Sequence, residues 1–528
     1  MGKLSVLDVT LRDGGCVNDF NFGQPYMDKI RAALEASGVE YIELGYLDQN
    51  KGSERGRTQY INERVIPENF LKEKKGGISY LAMMDYGKFD VDSLSARSEE
   101  GIDGIRLAFH KKNRTDIIEL GRKIMDKGYK FFVQPMITLR YSDAELLELV
   151  DAVNRYLPDA SGFYIVDSFG EMRPNDMNRI MHLVDHNLIP TMPLGFHSHN
   201  NLQMSYSNAI SLLNFSTNRD LMLDCSIMGM GKGAGNLSTE LLLEHMNLFH
   251  EKNYDTAPLL QVIDEVLNPI RAEYHWGYSI EYYLSSINHC TPSYAGHFYN
   301  KHMLPIDQVA ELLGLIAEEK KISFDKEYAE RLYLEYNAAK NFDDTQVVAE
   351  LRKEFAGKRI LLIAPGESIV GAREKILSEM EKENTISIAL NNQDLFETDY
   401  LFATRQDAFK KGVSSGKKVI TTSNVTCLPN DRIQIIDYQK WVVVDGEVQD
   451  SSGTFTLNLL SACGPRELLL AGFDGFHVNI NKNYYDKSMN HPITAEQAEK
   501  RNAYYRKFIK KLRTEVPVRF LTESLYEE

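Results

Sequence analysis

Three residues that lie far apart in the chain have the side-chain types that hold a divalent cation. Asp13 follows the apolar run of "VLDVTLRDGG", and His197 and His199 stand two residues apart in "GFHSHNN". Residues two apart in a strand point to the same face, so both imidazoles can reach one ion. A carboxylate with two imidazoles suits Mg²⁺ or Mn²⁺, admits Zn²⁺, Co²⁺ or Fe²⁺, and leaves positions open for water and substrate. The alternative is a pair of histidines that merely ends a strand.

Two further features can complete such a site. Arg12 carries a permanent charge that can stabilise a negative oxygen as it forms, although it can also be a structural ion-pair partner of Asp13. The glycines of "MGMGKGAGNLSTE" (228–240) permit close approach of the backbone to a ligand, although a simple turn also needs them. Asn236, near the end of this segment, can add an amide oxygen to the same ion.

The elements that must position these residues alternate between apolar strands and amphipathic helices. Continuously apolar strands covered by helices form parallel sheets that are buried on both faces. Eight such units in about 250 residues are typical of a (β/α)8 TIM barrel, with a doubly wound open sheet as the alternative. The predicted strands span 3–11, 39–47, 77–86, 102–110, 129–139, 162–170, 191–200 and 221–229. The predicted helices between them span 23–38, 114–127, 143–156, 175–187 and 202–214.

Functional groups of such a barrel gather at the carboxyl ends of its strands. Polar residues stand at this end of several predicted strands, and we expect them to converge on one mouth. They are Arg12, Asp13, Glu43, Gln134, Asp167, Ser168, His197 and His199.

Four motifs carry a family resemblance. "LDVTLRDGG", "VDSFG", "GFHSHNN" and "GMGKGAGN", in this order, resemble the metal-dependent pyruvate-aldolase and acyl-CoA lyase superfamily over about residues 3–300. This superfamily of DRE-TIM metallolyases includes 4-hydroxy-2-oxovalerate aldolase and hydroxymethylglutaryl-CoA lyase. The resemblance implies that Asp13, His197 and His199 are metal ligands. It also implies that Asn236 matches a ligand of the lyase branch and that Arg12 faces the reacting oxygen.

The resemblance implies carbon–carbon bond chemistry. Making or breaking a bond beside a ketone requires an enolate, which a chelated divalent ion stabilises as a Lewis acid. We therefore expect a divalent-metal-dependent aldolase, a carbon–carbon lyase that makes or cleaves a pyruvate-derived 4-hydroxy-2-oxo acid through a metal-bound enolate. Ser168, or backbone donors beside it, can hold the pyruvate carboxylate. The stretch "LRDGGCVNDFNF" further resembles aldolase-like proteins of surface-polysaccharide gene sets.

The general base is where this chain departs from the family pattern. The aldolases have a histidine one residue after "RDG", where this chain has Cys16, and the Claisen-condensing synthases have a glutamate at the position of Gly15. Cys16 can act as a thiolate only if its pKa falls from about 8.5; otherwise it is an inert thiol. Tyr294 loosely matches a family tyrosine. The other candidate bases are His110, His275, His289 and His297.

Several alternative functions stay open. One is a Claisen-type acyl transferase or synthase of the same superfamily, which the missing glutamate disfavours. Another is that glycosyl transfer in the C-terminal part is the main activity. A third is a non-catalytic scaffold that keeps the metal but has lost its base.

A second, smaller domain follows the barrel. We place the barrel at 1–270, a helical extension or linker at 271–350, and a Rossmann-like α/β domain with seven short strands at 357–528. "SSGTFTLNLLSACGPRELLLAGFDGF" weakly resembles bacterial sialyltransferases and related polysaccharide proteins. This resemblance implies a nucleotide or nucleotide-sugar site, with a catalytic transferase and a purely structural unit as alternatives. Candidate contacts are Gly366, Ser368, Asn391, Ser452, Gly453, Thr454 and Asp474, with His477 and His491 available for transfer chemistry.

Composition and charge limit the cellular compartments and the binding partners that the protein can have. The chain has 528 residues and a net charge of -15, which argues against nucleic acid as a partner. No apolar run approaches the length of a membrane helix, and the N-terminus enters a strand directly. Five scattered cysteines suit free thiols in a reducing cytosol. We therefore expect a cytoplasmic protein. Its expected partners are a small 2-oxo acid substrate and further copies of the same chain in a homo-oligomer.

Overall fold

The computed structural model of the chain describes residues 2–52, 54–71, 73–301, 304, 306–339, 342–391, 394–425, 427, 430–443, 452–489 and 493–527. It divides into two compact units. The first comprises Met1–Ala295 with Lys321–Ser323, and the second comprises Gly296–Lys320 with Phe324–Glu528. The domain boundaries placed at residues 270 and 357 stay a prediction.

A closed parallel barrel forms the first unit. Eight strands pair in the order β1-β9-β8-β7-β6-β5-β4-β2, and β2 pairs with β1 to close the ring. All pairings are parallel, so the predicted barrel is confirmed and the open sheet is excluded. The two-residue strand β3 extends β2 outside the ring and is too short to show a sequence pattern. The strands are β1 (Leu4–Asp8), β2 (Tyr41–Leu47), β3 (Gln59–Tyr60), β4 (Ser79–Asp85), β5 (Gly104–Phe109), β6 (Lys130–Pro135), β7 (Gly162–Asp167), β8 (Leu194–Ser198) and β9 (Leu221–Cys225).

Helices follow most of these strands, as the sequence pattern predicts. In α4, Ser142 and Glu145 form a reciprocal capping box, and the buried side chains repeat at helical spacing toward the strands. The helices are α1 (Gln24–Ser37), α2 (Val65–Asn69), α3 (Ile117–Asp126), α4 (Asp143–Tyr156), α5 (Pro174–Asn187), α6 (Ser205–Leu213), α7 (Thr239–Phe249), α8 (Ala257–Val262), α9 (Asn268–Glu273), α10 (Ile280–Ile287) and α11 (Pro292–Gly296).

The strands bury two separate sets of apolar side chains. One set packs against the helices, and a smaller set from alternate strand positions fills the barrel interior, including Leu7, Leu81, Phe132, Tyr164 and Met222. This packed interior holds the strand ends at fixed positions, which is what a constellation of distant residues requires.

The second unit contains a doubly wound parallel sheet. Its seven strands, all predicted, lie in the order β14-β13-β12-β11-β10-β15-β16, so the winding direction reverses between β10 and β15. The strands are β10 (Arg359–Ile363), β11 (Thr385–Leu390), β12 (Tyr400–Ala403), β13 (Lys418–Thr422), β14 (Ile433–Ile436), β15 (Glu467–Ala471) and β16 (Val518–Phe520). The helices are α12 (Ile306–Gly314), α13 (Lys326–Ala338), α14 (Thr345–Phe355), α15 (Arg373–Met380), α16 (Gln406–Ser414), α17 (Tyr438–Trp441), α18 (Ser452–Ala462) and α19 (Ala495–Leu512).

The sequence predicts that the cysteines are free thiols and that no helix spans a membrane. All five cysteines are free thiols in the structure. Within the described ranges, no helix combines the length and the apolar character needed to span a bilayer.

Candidate metal centre

Asp13, His197 and His199 meet at the carboxyl ends of β1 and β8. Each offers a possible ligand atom, and these atoms all lie within 4.8 Å of one another. The three residues are only 3%, 5% and 7% exposed, so the potential ligands are held inside the protein at the mouth of the barrel. The structure therefore brings together the three residues that the sequence proposed as a metal site.

Hydrogen bonds fix the orientation of both imidazoles. Nδ1 of His197 lies 2.9 Å from the Asp224 carboxylate, and Nδ1 of His199 lies 3.0 Å from the carbonyl oxygen of Lys232. Because Nδ1 of each ring has an acceptor, the tautomer with a lone pair on Nε2 is favoured, as in metal sites with an outer hydrogen-bond partner. Burial lowers the pKa of His199 to about 4, so this ring is neutral and can ligate at pH 7.

Asp13 is the anionic member of the set. Burial alone would raise the pKa of its carboxyl group, but the neighbouring His199 and Arg12 hold that pKa below its ordinary value. The side-chain amide of Asn236 donates to Asp13 Oδ2 at 2.7 Å. Asp13 is thus an ionised carboxylate with fixed neighbours.

Asn236 leaves one oxygen available beside this carboxylate. Its Oδ1 is buried and has no hydrogen-bond partner among the described residues, and buried amide oxygens normally have one. A Cβ at Gly231 would lie 2.3 Å from Asn236 Nδ2 and 2.5 Å from Asp13 Oδ2, so this loop position excludes any side chain. A carboxylate, two imidazoles and an amide oxygen without a hydrogen-bond partner among the described residues form a set of ligands that fits a divalent cation.

Arg12 combines an ion pair with an unused donor. Its Nη1 donates to Asp13 Oδ1 at 2.8 Å, and its Nε donates to Glu43 Oε2 at 2.6 Å. Its Nη2 is buried without a partner among the described residues. Leaving a buried donor unsatisfied costs about 1–3 kcal/mol, so an anionic ligand would find a prepared donor at this point.

A buried chain of charges extends from Arg12 into the barrel. Arg106, on β5, is fully buried and donates from Nη1 to Glu43 Oε2 at 3.0 Å. Its Nη2 donates to Asp224, whose carboxylate also meets His197. Arg106 and Asp224 are not among the predicted site residues, although each is a charged residue inside an apolar run, "GIRLAF" and "LMLDC".

The other predicted site residues of the barrel occupy different settings. Ser168 follows β7, and its Oγ accepts from the Ile137 amide at 3.1 Å, which leaves the hydroxyl proton for another partner. Cys16 exposes part of its surface, but the protein around its sulfur and the Asp13 carboxylate raise the pKa of the thiol to about 12. Tyr294 is buried, and its hydroxyl donates to the carbonyl of Ser323 at 3.4 Å. The catalytic roles of these residues stay predictions.

The candidate histidine bases are scattered. Burial lowers the pKa of the half-buried His110, although the Asp85 carboxylate opposes this shift. Nδ1 of His289 lies 2.7 Å from Glu171 Oε2, and His275 is exposed. His297 belongs to the second unit, where its Nε2 lies 3.0 Å from Glu330. None of these placements identifies the base.

Some of the residues predicted for the second unit line one cavity, and the others lie outside its lining. Ser368 donates from its amide at 2.8 Å and from its hydroxyl to the Asp474 carboxylate. Gly366, Ser452, Gly453 and Asp474 line one cavity of ≈ 470 Å³, and Asn391 lines it as well. The hydroxyls of Thr454 and Tyr504 lie 2.9 Å apart, the amide of His477 donates to Asn483, and His491 lies outside the described residues.

Comparison with known proteins identifies relatives of the first unit. The HMGL-like family model matches residues 3–266. A 4-hydroxy-2-oxovalerate aldolase of Comamonas testosteroni is 30% identical over 277 residues, which cover 51% of this chain and 75% of that protein. The corresponding protein of Moorella thermoacetica is 28% identical over 276 residues, which cover 51% of this chain and 78% of that protein.

Two solved structures are similar to part of this chain. The N-terminal domain of a candidate aldolase from Bacteroides vulgatus is 27% identical, covers 59% of this chain and 97% of its own, and gives a TM-score of 0.47. The Bacillus subtilis HMG-CoA lyase is 14% identical, covers 52% of this chain and 94% of its own, and gives a TM-score of 0.41.

Proposed function

Because the chain belongs to the HMGL-like family, we propose that its barrel unit is a divalent-metal-dependent aldolase acting on a pyruvate-derived 4-hydroxy-2-oxo acid. The resemblance predicted from the four motifs is confirmed, and so is the expected class of enzyme, a carbon–carbon lyase. The proposed substrate class follows from the names of the curated relatives, which are 4-hydroxy-2-oxovalerate aldolases.

One observation carries the proposal: three buried residues offer ligand atoms within 4.8 Å of one another, beside an arginine whose Nη2 has no partner among the described residues. We propose Mg²⁺ or Mn²⁺ as the ion, because Asp13 and Asn236 present oxygen donors; the two imidazoles keep Zn²⁺ and Co²⁺ as alternatives. Asp13, His197 and His199 would hold the ion. When bound, it supplies Lewis-acid polarisation of the 2-oxo group of the substrate.

Arg12 is the residue that we assign to the developing negative charge. Its Nη2 has no partner among the described residues, while Asp13 and Glu43 fix the rest of the guanidinium. A donor that is already oriented needs no reorganisation when the enolate oxygen forms, and this is how preorganised sites lower a barrier. Ser168, whose hydroxyl proton has no acceptor among the described residues, donates to the substrate carboxylate in this proposal.

Aldol cleavage also requires a group that removes the proton of the substrate 4-hydroxyl. Cys16 stands at the position matching the aldolase histidine, but the raised pKa of its thiol disfavours it as a base, and Tyr294 is the second candidate. The variants Cys16→Ala and Tyr294→Phe separate them. The base is the residue whose loss stops cleavage of 4-hydroxy-2-oxopentanoate while the protein still binds Mn²⁺ with parental affinity.

The decisive experiment follows the methyl protons of pyruvate in D₂O by NMR. With Mn²⁺ present, we expect exchange that EDTA abolishes and that Arg12→Ala slows about a hundredfold. Arg55→Ala is the matched control, since Arg55 is an exposed arginine of the same unit. Release of pyruvate from 4-hydroxy-2-oxopentanoate, coupled to lactate dehydrogenase, measures cleavage directly. Absence of both exchange and cleavage with Mg²⁺, Mn²⁺, Zn²⁺ and Co²⁺ would overturn the proposal.

The biological setting is a further part of the proposal. We place the enzyme in the cytoplasm, because its five cysteines are free thiols, and in the synthesis of a surface-polysaccharide sugar, because of the "LRDGGCVNDFNF" resemblance. A homo-oligomer is proposed on the family resemblance alone. Sedimentation of the purified protein tests the last point.

A further inference from the structure

We propose that the cavity of the second unit binds a nucleoside phosphate, with the phosphate near Lys411 and the base among aromatic side chains. This site is independent of the reaction assigned to the barrel. The cavity has a volume of ≈ 470 Å³, within the range of about 300–1,000 Å³ that small-molecule sites occupy.

The position of the cavity in the fold is the first argument. It is lined by residues that directly follow β10, such as Gly366, and by residues that directly follow β15, such as Gly472 and Asp474. The winding of the sheet reverses between these two strands. Ligands of doubly wound sheets bind at the carboxyl ends of the strands where the order reverses, so the cavity lies where this fold class binds its ligands.

Glycines keep this edge of the cavity clear of side chains. A Cβ at Gly366 would lie 2.3 Å from the carbonyl oxygen of Gly472, and a Cβ at Gly472 would lie 2.1 Å from that of Ala364. Gly472 also has a φ of +72°, which L side chains rarely adopt. The two turns thus pack backbone against backbone.

A cation and a helix N-terminus line the same cavity. Lys411 is exposed and makes no ion pair within the described part of the chain. Arg405, by contrast, is paired with Asp407 through two bonds of 3.1 and 3.0 Å, so its charge is compensated. Ser452 and Gly453 begin α18, an eleven-residue helix, and the amides of a first turn have no partner within the helix. These amides and the Lys411 ammonium can donate hydrogen bonds to a phosphate, in a lining that also contains the Asp474 and Asp486 carboxylates.

The remaining lining supplies partners for a ribose and a base. The Asp474 and Asp486 carboxylates can accept hydrogen bonds from ribose hydroxyls. Tyr505 and Tyr526 stack on each other with ring centroids 4.5 Å apart, and both line the cavity. A Cβ at Gly453 would lie 2.4 Å from the Tyr505 hydroxyl, so the glycine admits this ring at the start of α18. An anion, hydroxyls and a planar ring occur together in a nucleoside phosphate.

Isothermal titration calorimetry on the full-length protein tests the site. The probes are AMP, GMP, CMP and UMP, the four corresponding nucleosides, ribose 5-phosphate and inorganic phosphate. We expect at least one nucleotide to bind with a stoichiometry of one, and its nucleoside and ribose 5-phosphate to bind at least about tenfold more weakly. Failure of all four nucleotides to bind, or equal binding of ribose 5-phosphate, would overturn the proposal.

Two lysines of α16 provide a matched pair of variants. Lys411→Gln should weaken nucleotide binding about tenfold, because it removes a cavity cation that has no ion-pair partner in the described part of the chain. Lys410→Gln makes the same charge change at an exposed neighbour outside the cavity lining and should leave the affinity unchanged. Equal effects of the two variants would contradict the assignment. Arg12→Ala should retain nucleotide affinity, which separates failure of this site from failure of the proposed barrel reaction.

Discussion

Nδ1 of His197 lies 2.9 Å from the carboxylate of Asp224, and this contact selects Nε2 as the ring atom that can hold a cation. The two residues are on neighbouring strands, β8 and β9, so the barrel itself sets their distance. Asp224 therefore acts on the proposed metal site through the orientation of His197, which makes it a positioning residue.

Asp224→Asn should weaken Mn²⁺ binding by about 10–100-fold, the usual cost of losing an outer carboxylate partner of a ligating histidine. The amide oxygen of asparagine still accepts from Nδ1 but carries no charge. Titration of Mn²⁺ followed by electron paramagnetic resonance measures the affinity. Asp220→Asn is the matched control, because Asp220 accepts from the Lys3 amide at the other end of the same strand region. Equal Mn²⁺ affinities of the two variants would refute the positioning role.

Arg106→Met should lower the free energy of unfolding by about 3–5 kcal/mol, because the substitution removes a fully buried guanidinium that two buried carboxylates share. These carboxylates belong to Glu43 and Asp224, and both accept from the fully buried guanidinium. Urea unfolding followed by circular dichroism measures the loss. Arg122→Met removes an exposed arginine of the same unit and should change stability by less than about 0.5 kcal/mol. A small effect of Arg106→Met would show that the buried charges are not coupled.

Much of the barrel and its mouth could be predicted, because both produce patterns of apolar and polar residues over short stretches of sequence. Apolar strands with polar ends predict where Asp13, His197 and His199 lie, since parallel strands in a barrel all end at one face. The contacts that support the proposed metal ligands from behind produce no such sequence pattern. The bond from Arg106 to Asp224 joins residues 118 apart, and its existence depends on strand register that no local pattern encodes. The aromatic and cationic residues that line the cavity of the second unit likewise come from distant segments of the chain.

Gly231→Ala should weaken Mn²⁺ binding about tenfold or more without unfolding the barrel. The added methyl group would lie 2.3 Å from Asn236 Nδ2 and 2.5 Å from Asp13 Oδ2, so one or both side chains must move. Calorimetric titration with Mn²⁺ detects the loss. Gly76→Ala is the control, since a Cβ there meets nothing within 4 Å. Unchanged affinity in Gly231→Ala would mean that Asn236 and Asp13 can shift without consequence for the site.

Asp8 should make the stability of the barrel depend on pH. Burial raises the pKa of its carboxyl group to about 6 in the folded protein, despite hydrogen bonds from Thr239 Oγ1 at 2.6 Å and the Thr10 amide at 2.8 Å. A group whose folded pKa exceeds its unfolded pKa binds protons more tightly in the folded state. Its stabilising contribution is therefore complete below about pH 4 and is lost as the pH rises through about 6.

The expected loss is about 2 kcal/mol between pH 4 and pH 7, from a shift of about two units. Asp8→Asn supplies the comparison, because an asparagine can accept from the Thr10 amide and donate to Thr239 at every pH. Free energies of unfolding in urea, measured at half-unit steps, should give a parent-minus-variant difference that falls steadily over this range. A difference that stays constant with pH would show that the pKa of Asp8 is not raised in the folded protein. Its two hydrogen bonds would then outweigh the cost of burying its charge.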